Sequence, residues 1–124
     1  MESIGLVIVS HSKHIAEGVV ELISKVAKDV PITYVGGTEG GGIGTSFDQV
    51  DRVVSENPAD TLLAFFELGS AKMNLKMVTD FSDKSIIINR VPIVEGAYNA
   101  AALLQAGAEL SVIQTQLAEL EINK

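Results

Sequence analysis

The chain has no cysteine, which excludes disulfides and thiolate metal sites. It has no apolar run approaching the roughly 18 residues that a membrane span needs, so no membrane partner is expected. The first residues lack a basic stretch followed by a cleavage site, and Glu2 is acidic. No export signal is therefore expected, and the cytoplasm is the expected compartment. Positive charge is scarce: Lys and Arg number 9 against 16 Asp and Glu, a net charge of −7. With a pI near 4.7, nucleic acid and anionic membrane are poor partners. An acidic surface suits a basic partner protein, and it also keeps a protein in solution. A complete nucleotide site is missing as well. No Gly-Lys-Ser/Thr follows the glycine-rich stretch, and no acidic pair stands ready for Mg²⁺. Linkers, internal repeats and low-complexity segments are absent, one glycine loop aside.

What is present is one domain's worth of chain, 124 residues with a hydrophobic fraction of 47%. Its organising stretch is Ile4 to Gly18. A short apolar run, Ile4 to Val9, turns polar at Ser10-His11-Ser12 and continues with apolar residues at helical spacing. This reads as a buried strand, a tight turn and a helix start. His11 lies in the turn, where ligands and reacting groups gather in an open α/β sheet.

The pattern repeats four times. Strand one is expected over Ile4–Ser10. Helix one follows over about Ser12–Ala27, with Ser12 as N-cap and Ile15, Val19, Leu22, Ile23 and Val26 facing inward. Strand two is Pro31–Val35. After the loop Gly36–Gly44, helix two starts near Thr45 or Ser46, with Thr45 and Asp48 at capping-box spacing, and ends near Asn57-Pro58. Its apolar face is Phe47, Val50, Val53 and Val54. Strand three is Thr61–Phe66, and helix three is Ala71 to about Asp80. Strand four is Ser85–Asn89. Helix four spans about Val94–Ala106 with the stripe Val94, Ala97, Tyr98, Ala101 and Leu104, and Gly107 suits its C′ position. A last helix covers about Leu110–Leu120. Met73, Met77 and Phe81 are expected in the core rather than around a cofactor.

Alternating strands and helices imply a doubly wound, mostly parallel four-stranded sheet with helices on both faces. A strand order 2-1-3-4 makes the ends of strands one and three, His11 and Glu67, neighbours.

His11 is the sharpest candidate. The positive end of helix one favours a neutral imidazole, and a neutral ring nitrogen is a nucleophile. Helix N-termini could then bind the oxygens of a phosphoryl group, with Ser10, Ser12, Gly44, Thr45 and Ser46 as donors. Glu67 could accept the ring N–H and orient it. A simple hydrogen-bonded turn histidine and a solvent-facing glutamate are the bland alternatives. His14 reads as a solvated helix residue. A metal trio of His11, His14 and Glu17 is disfavoured because His11 precedes the helix, and neither metal nor cofactor is expected. Gly40-Gly41-Gly42 reads as a flexible surface loop.

The stretches LVIVSHS, IAEGV, IGTS, ELGSA and PIVEGA, in that order, resemble the DhaM-type subunits of bacterial dihydroxyacetone kinase. These are driven by the phosphoenolpyruvate:sugar phosphotransferase system, and their domain is related to mannose-type IIA transporter domains. The resemblance runs from residue 6 to residue 97 and implies a phosphocarrier. His11 matches the family's phosphorylated histidine, and the resemblance implies attachment at Nε2. Thr45 matches the threonine of its Gly-Thr motif, and Glu67 a position where Asp is common. The family takes phosphate from HPr and passes it to ADP on the DhaL subunit, with DhaK in the same complex. Some members continue into fused HPr-like and enzyme I-like domains. This chain stops at Lys124, so a separate donor protein is expected. Related domains dimerise, which implies a homodimer. Two other functions remain open. One is a IIA component handing phosphate to a IIB domain. The other is a module that binds an anion or nucleotide without covalent chemistry.

Overall fold

The computed structural model describes residues 3–124. Met1 and Glu2, on which the export reading drew, lie outside the described residues. Its elements are β1 (Ile4–Ser10), α1 (Lys13–Ser24), β2 (Ile32–Gly36), α2 (Phe47–Glu56), β3 (Thr61–Phe66), α3 (Ala71–Phe81), β4 (Ser85–Asn89), α4 (Ile93–Gln105) and α5 (Leu110–Ala118). The four strands form one parallel sheet in the order β2-β1-β3-β4, as the alternation of strands and helices requires.

The central strands are buried on both faces, so they read as continuous apolar runs. Leu6 to Val9 and Leu62 to Phe66 have no exposed surface. Side-chain alternation then divides the core. Leu6, Ile8, Leu63 and Phe65 point to the side covered by α1, α4 and α5. Val7, Val9, Leu62, Ala64 and Phe66 point to the side covered by α2 and α3. The switch between the two sides falls between β1 and β3. There the register pairs Val9 with Phe66, so Ser10 and Glu67 emerge side by side.

Several local expectations shift. The N-cap of α2 is Ser46, whose hydroxyl accepts from the Gln49 N–H. The cap is thus one residue later than the Thr45–Asp48 spacing suggests, and is the second of the two starts expected. On α1 the buried residues are Ala16, Val19 and Ile23, while Ile15 and Leu22 are exposed. On α4 the buried side is Gly96, Ala97, Ala100 and Ala101, with Val94 and Tyr98 exposed. Small residues let α4 lie close to the sheet: a Cβ on Gly96 would sit 2.2 Å from Val91 Cγ2 and 3.3 Å from Phe65. On α3, Met73, Met77 and Phe81 are exposed rather than in the core, and Ala71, Leu75 and Val78 are buried instead. Gly107, at φ +86°, ends α4 as expected. Its N–H donates to Leu104 and that of Ala108 to Leu103, satisfying the last carbonyls of the helix.

Candidate functional site

The turn after β1 and the turn after β3 meet at the carboxyl end of the sheet. Glu67 is the hub. Its Oε1 lies 2.7 Å from His11 Nδ1 and accepts the Leu68 N–H at 3.2 Å. Its Oε2 accepts the His11 N–H at 3.1 Å and the Ser10 hydroxyl. Burial pushes the Glu67 carboxyl up, but these hydrogen bonds outweigh it and hold the group below the usual carboxylate range. The carboxylate therefore stays charged and takes the Nδ1 proton's hydrogen bond. In a neutral ring that contact places the lone pair on Nε2.

Nε2 lies 2.6 Å from Ser70 Oγ, whose hydroxyl can donate to it. Ser70 precedes α3 but makes no side-chain cap for that helix. Its hydroxyl is directed to the imidazole instead. The His11 side chain is 14% exposed and that of Glu67 is 15% exposed, while Ser70 is exposed. A group approaching Nε2 must thus displace the Ser70 hydroxyl.

The other donors are distributed by the loops. Ser12 accepts from Ile15 N–H as the N-cap of α1, and its own N–H donates to Ser10 Oγ at 3.0 Å. Gly44, at φ +141°, donates its N–H to the His11 carbonyl at 2.9 Å. That bond clamps the glycine loop onto the histidine turn and leaves the Gly44 N–H committed. Ser46 Oγ caps α2 and donates to Glu39 Oε2 at 2.6 Å, which lowers the Glu39 carboxyl. Thr45 Oγ1 accepts from Asn74 Nδ2 at 2.8 Å. Asn74 is one turn along α3 from Ser70, so α3 presents both to the site. Within Gly40-Gly41-Gly42, the Gly41 N–H donates to the Thr38 carbonyl at 2.9 Å and the Gly42 N–H to its hydroxyl at 3.2 Å.

Sequence reasoning placed His11 and Glu67 together, but it missed Ser70 and Asn74. Ser70 looks like an ordinary helix cap. Asn74 carries a faint signal, as a poor helix former inside a helix. Ser10, read as a donor to an anion, donates to Glu67 instead. His14 lies apart: its side chain is 94% exposed, with Nδ1 3.9 Å from Glu17 Oε1. Among the described residues no group of three or more His, Cys, Asp or Glu is placed to hold a metal.

Gly36 fixes how closely the β2 end approaches α1. A Cβ there would lie 2.3 Å from the Ser12 carbonyl oxygen and 2.7 Å from Lys13 Cα. Both are backbone atoms, so α1 must move. Gly36→Ala is expected to destabilise the fold by about 1–3 kcal/mol, read as a lower urea midpoint with unchanged slope. An unchanged midpoint would show that the turn yields freely.

Two clefts of about 560 and 570 Å³ lie elsewhere. One runs along the β2 edge past Thr33, Tyr34 and Arg52. The other lies by Ile4, Pro31 and Leu104, at the opposite end of the sheet. Neither is lined by His11, Glu67 or Ser70. The His11–Glu67 pair thus lies at the turns, apart from both clefts, with Ser70 on its exposed side.

Known proteins are similar to this chain in fold and in sequence. The family described as PTS system fructose IIA component matches residues 5–114. The phosphotransferase subunit DhaM of a PTS-dependent dihydroxyacetone kinase from Lactococcus lactis is 53% identical over 97% of this chain and 98% of its own length. The phosphoryl donor subunit DhaM of dihydroxyacetone kinase 1 from Listeria innocua is 49% identical over 95% of each chain. A crystal structure of a protein of unknown function superposes with a TM-score of 0.82 at 28% identity, covering 98% of this chain and 95% of that one. The chain belongs to the DhaM family of dihydroxyacetone kinase phosphotransferase subunits, built on a mannose-type IIA domain.

Proposed function

We propose that residues 1–124 form one phosphocarrier domain that takes a phosphoryl group from HPr onto His11 Nε2. The domain then delivers the group to ADP held by a DhaL subunit, with DhaK in the same complex. The carrying observation is the imidazole fixed between Glu67 at Nδ1 and Ser70 at Nε2. In uptake, the Nε2 lone pair attacks phosphorus and the bond from phosphorus to the donor breaks, its electron pair returning to the donor. The Nδ1 proton stays in its hydrogen bond to Glu67, and the ring becomes positively charged beside the carboxylate. In delivery, a β-phosphate oxygen of ADP attacks phosphorus and the electron pair returns to Nε2. Positioning supplies most of what such a transfer needs. The Thr45 and Ser70 hydroxyls, with the N-termini of α1 and α2 at Ser12 and Ser46, are the proposed anion surroundings, and Gly44 holds the glycine loop against the His11 turn.

The sequence has no Gly-Lys-Ser/Thr after its glycine loop and no acidic pair for Mg²⁺, which supports a partner that brings ADP and its metal ion. Apolar side chains on the elements that frame the site support a protein partner too. Ile43, Leu68 and Met73 are 79%, 58% and 70% exposed. No helix among the described residues is long and apolar enough to cross a membrane, and we place the reaction in the cytoplasm. We also propose a homodimer, with α4 and α5 as contact faces. Light scattering at micromolar concentration should give twice the chain mass, and a monomer mass would contradict it.

The test of the carrier reading is incubation with labelled phosphoenolpyruvate, enzyme I and HPr. One label per chain is expected, lost in acid and kept in base, as for a phosphorus–nitrogen bond. No label, or an acid-stable ester, would refute it.

A further inference from the structure

Beyond α5 the chain turns back beneath the site. The Ile122 N–H donates to the Arg90 carbonyl at 2.8 Å, and Glu121 pairs with the Arg90 guanidinium at 2.7 Å. The tail thereby runs past the end of β4 and reaches the turn that carries Glu67. The Lys124 Nζ donates to three carbonyls: Phe66 at 2.5 Å, Val91 at 2.7 Å and Glu67 at 3.2 Å. It also lies 4.3 Å from the centre of the Phe66 ring. The backbone oxygen of Lys124 in turn accepts from Lys72 Nζ, on α3, at 2.7 Å.

This is a complete cation site. An ammonium has three N–H donors, and three carbonyls receive them, with an aromatic face as a further favourable neighbour. The carbonyls come from two places. Phe66 and Glu67 lie at the end of β3, and Val91 follows β4. The ladder between these strands has its last register pair at Phe65 and Asn89. Lys124 joins the strand ends past that point, where Glu67 must be aimed at His11. Burial lowers the Lys124 pKa, and the nearby Glu67 carboxylate works against that. A partly desolvated charge is costly unless its partners are good, so the arrangement favours one position for the turn.

We infer that Lys124 is a positioning residue for the reaction at His11: its ammonium ties the ends of β3 and β4 and holds Glu67 in reach of the imidazole. The inference rests on the carrier reading of His11.

The absence of native cysteine offers a direct test. Lys124→Cys puts a single thiol in the chain, to be alkylated in denaturant and the protein refolded. With 2-bromoethylamine the thiolate displaces bromide, forming a C–S bond and restoring an ammonium at lysine length. With iodoacetamide the thiolate displaces iodide and leaves a neutral amide. The unmodified and amide-capped proteins are expected to take phosphate from HPr about ten- to a hundredfold more slowly, with KM for HPr unchanged. The aminoethylated protein should recover most of the rate.

The ¹⁵N spectrum of the His11 ring is the second readout. It should show a single Nδ1–H form in the parent and aminoethylated proteins, and a mixture with Nε2–H in the other two. Should Lys124→Cys fail to refold, Lys124→Met keeps the stem over Phe66 and is expected to show the same loss. Parent rates and a parent ring spectrum without the ammonium would overturn the inference, as would equal recovery by both alkylations. A parent protein that takes no label on His11 would instead overturn the carrier reading.

Discussion

His11→Ala is expected to reduce phosphoryl uptake from HPr below detection, while His14→Ala takes up label at the parent rate. The two histidines are three residues apart and belong to different environments. His11 is fixed at both ring nitrogens, by Glu67 and by Ser70. His14 stands in solvent, with a 3.9 Å approach to Glu17 as its ion-pair contact. A nucleophile that is free to rotate and hydrated pays ordering and desolvation costs at each transfer, and a preorganised one does not. The fold should survive the alanine, since His11 leaves the apolar core untouched. Circular dichroism of the variant should therefore match the parent. Label retained by His11→Ala, or lost in His14→Ala, would move the carrier role.

Glu67→Gln is expected to slow uptake by about 10²-fold or more and to lower stability by roughly 1–3 kcal/mol. The carboxylate offers two oxygens to four donors: Ser10 O–H, His11 N–H, His11 Nδ1–H and Leu68 N–H. A carboxamide has one acceptor oxygen. If that oxygen faces Nδ1, the amino group confronts the backbone N–H of His11. If it faces the backbone, the amino group confronts Nδ1 and favours the tautomer that protonates Nε2, removing the nucleophile. The acid dependence follows from the same contacts. The Glu67 carboxyl is held below its usual 4.5. Its stabilising contribution is therefore present above about that pH and lost as pH falls through the depressed value. Urea midpoints measured between neutral pH and pH 3 should fall for the parent in this acid range. They should fall less for Glu67→Gln. Parallel curves would show that Glu67 is not the titrating group.

The sheet and the His11–Glu67 pair were legible because they follow from short-range pattern plus one rule of connection. Apolar runs bounded by polar residues mark β1 and β3, whose observed limits are those expected. Right-handed crossovers then put their ends together. Elements whose inward side is made of small residues were misread. Hydropathy draws the stripe of α4 through Val94, Ala97, Tyr98, Ala101 and Leu104; close packing keeps Ala97 and Ala101, adds Gly96 and Ala100, and leaves Val94 and Tyr98 exposed. The same bias assigns Met73, Met77 and Phe81 to the core, where α3 instead buries Ala71, Leu75 and Val78. Ser46 caps α2, while the Thr45 hydroxyl accepts from Asn74, a contact from 29 residues away. Ser70 at Nε2 and Lys124 beneath Glu67 are likewise tertiary contacts, spanning 59 and 57 residues. No local signal announces them.

The most direct test of the carrier account is a single chase. The protein is labelled through enzyme I and HPr, freed of both, and mixed with DhaL–ADP–Mg²⁺. The label is expected to leave His11 and appear as ATP on DhaL. Label that remains on the chain yet moves readily to a mannose-type IIB domain would contradict it and make the protein a sugar-transport component.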